Sequence, residues 1–139
     1  MVHLLTRTGL RWGEMAGLHW DRVNLDRGSL SVVETFDEKS GNIKAYPKGR
    51  KRRETPIPPW LVELLAERPR QKRCGLSHTA GRCRSGLVIT TEAGSVLRNS
   101  NWSPIWRDAV DRARVGEGDD QEPSDTCGST TCATPTPAG

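Results

Sequence analysis

Two groups of charged residues in this chain have the types and spacing to handle phosphate. In the stretch TGLRWGEMAG, residues 8–17, Arg11 and Glu14 stand one helical turn apart, near Trp12 and Trp20. A guanidinium held in place donates two parallel hydrogen bonds to phosphate oxygens, and a carboxylate behind it steadies the fork. The same pair also reads as an ordinary surface ion pair worth a few tenths of a kcal/mol. The second group is KAYPKGRKRR, residues 44–53, where Lys44, Lys48, Arg50, Lys51, Arg52 and Arg53 stand without one acid. Six cations on a short hairpin are suited to tracking a phosphate backbone. The alternative is a solvated loop that protects a sheet edge.

A third group could hold a metal. Cys74 and Cys83 flank His78 in CGLSHTAGRC, which supplies three soft ligands where a structural zinc site uses four. The fourth would have to be Cys127 or Cys132, both in a tail of unpromising composition. The expectation is therefore incidental free thiols, with no metal and no cofactor.

Charge is unevenly spread. The chain has 21 Lys and Arg against 17 Asp and Glu, and four of those acids (Asp119, Asp120, Glu122, Asp125) lie in residues 118–139, which hold no base. Residues 1–117 thus carry 21 bases against 13 acids, a net +8. A basic body favours a polyanionic partner through counterion release. No apolar run approaches the ~20 residues that span a bilayer and no leader opens the chain, so a cytoplasmic protein without membrane contact is expected.

These groups need elements to position them. VHLLTRTG ends a helix at Gly9. A second helix covers Arg11 to Leu18, with Trp12, Met15 and Leu18 on one face. SLSVVETF, IKAY and RETPIP predict three short strands in an antiparallel meander, with a turn over 37–42. After Pro58-Pro59, WLVELLAERPR forms a helix whose stripe of Trp60, Leu61, Leu64 and Leu65 packs in the core. Residues 69–86 are a basic loop and LVITT a brief strand. A last helix runs from an Asn101 cap to Val115, burying Trp102, Ile105, Trp106, Ala109, Val110 and Ala113. The expected fold is α+β and mainly helical, its helices packed with a small three-stranded antiparallel sheet. Residues 118–139 have no Leu, Ile, Val or aromatic side chain and are expected to be disordered.

TGLRWGEMAGLHWDRVNLDRGSL, then YPKGRKRRETPIPPWLVELL, then NWSPIWRDAV resembles, in that order, the catalytic domain of tyrosine recombinases, the phage integrase family. Its Gly-Leu-Arg-x-x-Glu motif on a helix leads into an Asp-containing turn and a strand, and the Lys-rich hairpin precedes TPIP. The resemblance implies an enzyme class that breaks and rejoins double-stranded DNA through a phosphotyrosine link, without metal or nucleotide. By position, Arg11 resembles the first catalytic arginine, which stabilises the non-bridging oxygens. Glu14 resembles the acid that supports the pocket. Lys48 matches the hairpin lysine, a general acid toward the departing oxygen, with Lys44 as a substitute. Lys44, Arg50, Lys51, Arg52 and Arg53 are the expected DNA-binding residues.

The family's distal motifs, a His-x-x-Arg box and a nucleophilic tyrosine, should follow Val115. No His-x-x-Arg box follows Val115, since His3, His19 and His78 all precede it, and the sole tyrosine, Tyr46, stands ahead of Lys48. Back-translation of TTCATPTP with chosen codons, read one base earlier, yields HDLRHAYA, which carries the box. The expectation is a mobile-element recombinase fragment, truncated at both ends, whose frame shifts between about Val115 and Ser129. Residues 1–117 are then a partial catalytic domain, 118–139 an out-of-frame tail, and any oligomer a property of the intact parent. A stand-alone basic nucleic-acid-binding module is the alternative.

Overall fold

Gly9 decides where the first helix stops. In the computed structural model, which describes residues 1–45 and 52–117, helix α1 spans Val2–Thr8. Gly9 takes φ +63° and returns its N–H to the Leu5 carbonyl, a left-handed cap that glycine adopts without a Cβ penalty. Helix α2 (Trp12–Ala16) follows, with Arg11 as its extended N-cap residue. It is shorter than expected, because the chain turns at Gly17 into a 3-10 turn over Trp20–Arg22.

Strands β1 (Val23–Asn24) and β2 (Ser29–Val32) form a hairpin. Asn24 closes its turn by accepting the Arg27 N–H at 2.9 Å. Strand β3 (Glu34–Asp37) pairs with β4 (Asn42–Ala45), from Glu34 opposite Ala45 to Asp37 opposite Asn42. Strand β5 (Arg53–Pro56) returns to β2, with Val32 opposite Arg53. The sheets are therefore β1-β2-β5 and β3-β4, not the single meander expected. SLSVVETF divides at Val33 because its two halves serve different cores. Leu30 and Val32 enter a cluster with Leu4, Met15, Leu18 and Leu61, whereas Phe36 enters one with Ala16, Ile43, Cys74, Leu87 and Val96.

Helix α3 (Pro59–Ala66) starts on a proline, whose missing N–H costs nothing there. Leu61 and Leu65 are buried, but Trp60 is 38% and Leu64 49% exposed, so only half of the expected stripe is core. LVITT is no regular strand. Leu87, Val88 and Ile89 are buried in an irregular segment held by a Leu87–His19 bridge and by Val88 donating to the Leu18 carbonyl. Helix α4 spans Asn99–Glu117. Asn101 lies inside it rather than at its cap, and Ile105 and Trp106, expected in the core, are 56% and 48% exposed. Ala109 and Ala113 are exposed too, and Trp102 and Val110 only half-buried. Residues 1–103 make one unit, and a second begins at Pro104.

Among the described residues, four helices with two small antiparallel sheets amount to an α+β fold; these elements do not establish the mainly helical character expected of it. Among the described residues, no helix is long and apolar enough to cross a membrane.

Candidate functional site

The turn at Gly9 delivers Arg11 to the N-cap of α2, where backbone N–H groups lack helical acceptors. Glu14, three residues on, meets that need: its Oε2 accepts the Arg11 backbone N–H at 2.9 Å. The same oxygen accepts Arg53 Nη2 at 2.7 Å, and Arg53 Nη2 also donates to the Gly9 carbonyl at 3.2 Å. Glu14 is only 3% exposed. One buried carboxylate thus joins the start of α2 to the start of β5, and its charge suits the positive end of the helix. Arg11 is an exposed residue.

Glu14 supports Arg11 through the main chain, and it also holds the Arg53 guanidinium. Arg53 itself, expected on DNA, is committed to Glu14 and Gly9. Lys44 Nζ lies on the Asp37 carboxylate. Lys44, together with the Ser40 hydroxyl donating at 2.7 Å, draws Asp37 down to about 2. Arg52 is exposed. Lys48, Arg50, Lys51 and Tyr46 lie outside the described residues. Because β4 pairs with β3 and β5 with β2, the basic run bridges two sheets, and the two strands that flank it are not partners.

A close approach fixes α2 against β3. A Cβ on Gly13 would fall 2.6 Å from Thr35 Oγ1 and 2.7 Å from the Phe36 carbonyl oxygen. One on Gly17 would fall 2.6 Å from the Phe36 backbone nitrogen. The Gly-x-x-x-Gly spacing therefore lets the helix that begins at Arg11 lie directly on strand backbone.

An arginine at a glycine-turned helix start, a buried glutamate behind it and the arginine that ends the basic run share one corner of the fold. The sequence matches the phage integrase family over residues 1–123. The chain belongs to that family. It is 33% identical over 123 residues to a tyrosine recombinase XerC-like protein of Caldanaerobacter subterraneus subsp. tengcongensis, covering 78% of this chain and 32% of that protein. It thus spans about a third of the length of this curated relative. In fold it is similar to the Tn1549 transposon integrase solved with circular intermediate DNA, with TM-score 0.65 and 13% identity over 90% of this chain and 41% of the integrase. The XerA recombinase crystal structure is a more distant likeness, with TM-score 0.51 and 17% identity over 82% of this chain and 34% of that one.

This phage integrase domain gathers a second set of side chains that sequence reasoning saw only in part. Cys74, His78 and Cys83 come together as their spacing suggested, and His19 joins them from the segment after α2. His19 escaped notice because it lies far upstream, and no local motif links it to the loop. Burial opposes charge on His19, but the Glu34 carboxylate and the Gly17 carbonyl outweigh it and raise its pKa. Burial lifts the Cys74 thiol to about 11, with the Cys83 sulfur adding to the effect. Burial also works against the Cys83 thiolate, yet the Cys74 backbone N–H and thiol and the nearby His19 bring it below the ordinary thiol value.

Proposed function

We propose that this chain binds double-stranded DNA through Arg11 and the basic run of residues 44–53, and carries the phosphate-facing half of a recombinase pocket without cutting DNA on its own. The observation that most supports this reading is the Glu14 junction. A single buried carboxylate sets the position of Arg11 and anchors, through Arg53, the C-terminal end of the basic run. Cations that converge from two elements on a fixed corner suit a phosphate better than cations scattered over a surface. The integrase of similar fold was solved on DNA, which agrees with this partner.

In the family's scheme, Arg11 stabilises charge on the non-bridging oxygens, Glu14 acts as its positioning residue, and Lys48 protonates the departing oxygen. With Lys44 held by Asp37, Lys48 is the better candidate for that acid. Cleavage further requires a nucleophilic tyrosine, and the only tyrosine of this chain, Tyr46, stands within the basic run. The reading also holds that residues after about Val115 are translated out of frame; the family match, which stops at residue 123, ends inside the proposed window.

Titration of a labelled duplex at several salt concentrations tests the binding. Replacing Lys48, Arg50 and Lys51 with Ala should lower the slope of log affinity against log salt by about one per cation that contacts phosphate. An unchanged slope overturns the assignment. A nicked suicide duplex should trap no covalent adduct on this chain, and recovery of a phosphotyrosyl peptide refutes the inactive reading. The nucleotide sequence around codons 115–129 decides the frame directly.

A further inference from the structure

His19, Cys74, His78 and Cys83 each offer one ligand-type atom, and these atoms all lie within 4.8 Å of one another. Cys74 Sγ is 3.2 Å from His78 Nε2 and 3.2 Å from Cys83 Sγ. The two imidazole rings are tilted together, with centroids 5.1 Å apart.

Two features distinguish this group from a chance meeting of polar side chains. The first is the His19 tautomer. Its Nδ1 is 2.8 Å from the Gly17 carbonyl oxygen and 3.3 Å from Glu34 Oε2. Both neighbours accept, so Nδ1 carries the hydrogen and Nε2 keeps a lone pair. His19 is 1% exposed, and its Nε2 is buried without a hydrogen-bond partner among the described residues. An orphaned buried acceptor costs about 1–3 kcal/mol, and native interiors rarely tolerate one. A histidine whose outer nitrogen is fixed by a carbonyl and a carboxylate is oriented as metal-ligating histidines are. The second feature is the backbone around the sulfurs. The Cys74 N–H points at Cys83 Sγ, 3.2 Å away, and the Leu76 N–H at Cys74 Sγ, 3.4 Å away. N–H donors aimed at sulfur favour thiolate over thiol.

We propose that His19 Nε2, Cys74 Sγ, His78 Nε2 and Cys83 Sγ bind one zinc ion in a closed, structural tetrahedral site. Two sulfurs and two imidazole nitrogens select zinc over the hard, oxygen-seeking magnesium and calcium. Four protein donors leave no position for water, so the ion supports the fold and takes no part in chemistry. Two thiolate charges neutralise the dication in its half-buried setting. Binding exchanges two thiol protons for the ion and requires no oxidant. Zinc–sulfur bonds of about 2.3 Å place two tetrahedral sulfurs about 3.8 Å apart, so Cys74 and Cys83 separate by a few tenths of an ångström. A Cys74–Cys83 disulfide is the competing state. It requires the sulfurs to close to about 2.05 Å, and it leaves His19 Nε2 orphaned.

The ion would fasten the basic loop that carries Arg73, Arg82 and Arg84 to the end of α2 and to the β3–β4 sheet. That loop is already tied there by Ile43 donating to the Ser77 carbonyl at 2.8 Å and Thr79 donating to the Ile43 carbonyl at 2.9 Å. A metal staple suits a chain with only 34% hydrophobic residues, since lean cores gain most from such links.

The full chain, purified under reducing conditions without chelator, should retain one zinc per chain by elemental analysis. Replacement by cobalt should produce the visible bands of a tetrahedral ion and a near-ultraviolet thiolate charge-transfer band. In the zinc-loaded chain, an alkylating reagent should label Cys127 and Cys132 and spare Cys74 and Cys83 until a strong chelator is added. Cys127→Ser with Cys132→Ser should keep the metal, and Cys74→Ser with Cys83→Ser should lose it. Should the latter fail to fold, the alkylation pattern of the unaltered chain decides alone. Substoichiometric zinc with all four thiols equally reactive overturns the proposal. So does loss of metal on removing Cys127 and Cys132, or a Cys74–Cys83 cystine found in the reduced preparation.

Discussion

Glu14 performs two tasks that different substitutions separate. Its Oε2 caps α2 through the Arg11 N–H and holds the Arg53 guanidinium. Glu14→Ala removes both and leaves Arg53 facing a buried gap, an expected loss of about 2–3 kcal/mol. Glu14→Gln keeps a neutral acceptor and should cost less. Chemical denaturation of both variants checks this, and equal losses would show that the charge on Glu14 is irrelevant. Asp37 offers a separate test at this scale. Hydrogen bonds from Lys44 and Ser40 depress its pKa from an ordinary 3.8 to about 2. A folded-state pKa below the unfolded value means its contribution is complete above pH ~4–5 and is lost as pH falls toward 2. Asp37→Asn should therefore narrow the stability difference between neutral and acid pH, and an NMR titration of the carboxyl should give a midpoint near 2.

At the scale of elements, the α2–β3 contact depends on two missing side chains. Gly17→Ala drives a methyl into the Phe36 backbone nitrogen at 2.6 Å, where no side-chain movement can relieve it. The expected cost is about 1–3 kcal/mol from overpacking, measured by thermal melting, whereas a helical Gly→Ala without such a clash is stabilising. Helix α3 supplies a matched pair. Leu65→Ala removes a side chain that is 3% exposed and should cost about 2–5 kcal/mol. Leu64→Lys alters one that is 49% exposed and should stay within about 0.5 kcal/mol. Much at this scale was legible in the sequence. Gly9 ended a helix, Pro58-Pro59 opened one, and the turn over 37–42 joined two strands, because each rests on local backbone preference. The splitting of SLSVVETF was not legible, since alternation at period two continues through Val33 whichever core receives each half.

At the scale of the molecule, two apolar clusters divide residues 1–103, and the Cys/His group borders the second. Residues 118–139, which the structure does not describe, have no large apolar side chain to add to either cluster. A chain ending at Glu117 should melt within a few degrees of the full chain and bind duplex DNA with the same salt slope. A marked loss of stability would show that the tail contributes contacts, contrary to an out-of-frame origin. Family membership was visible in the ordered motifs around Arg11, Lys48 and the NWSPIWRDAV helix, because the spacing of charges and turn residues is written locally along the chain. That Glu14 also holds Arg53 was not visible, since only the β2–β5 register brings Arg53 to the carboxylate. His19 shows the same limit more sharply. As a residue in the sequence it is a lone histidine. The turn after Gly17 and the Leu87 bridge carry it to Cys74, His78 and Cys83, a meeting that long-range packing alone decides.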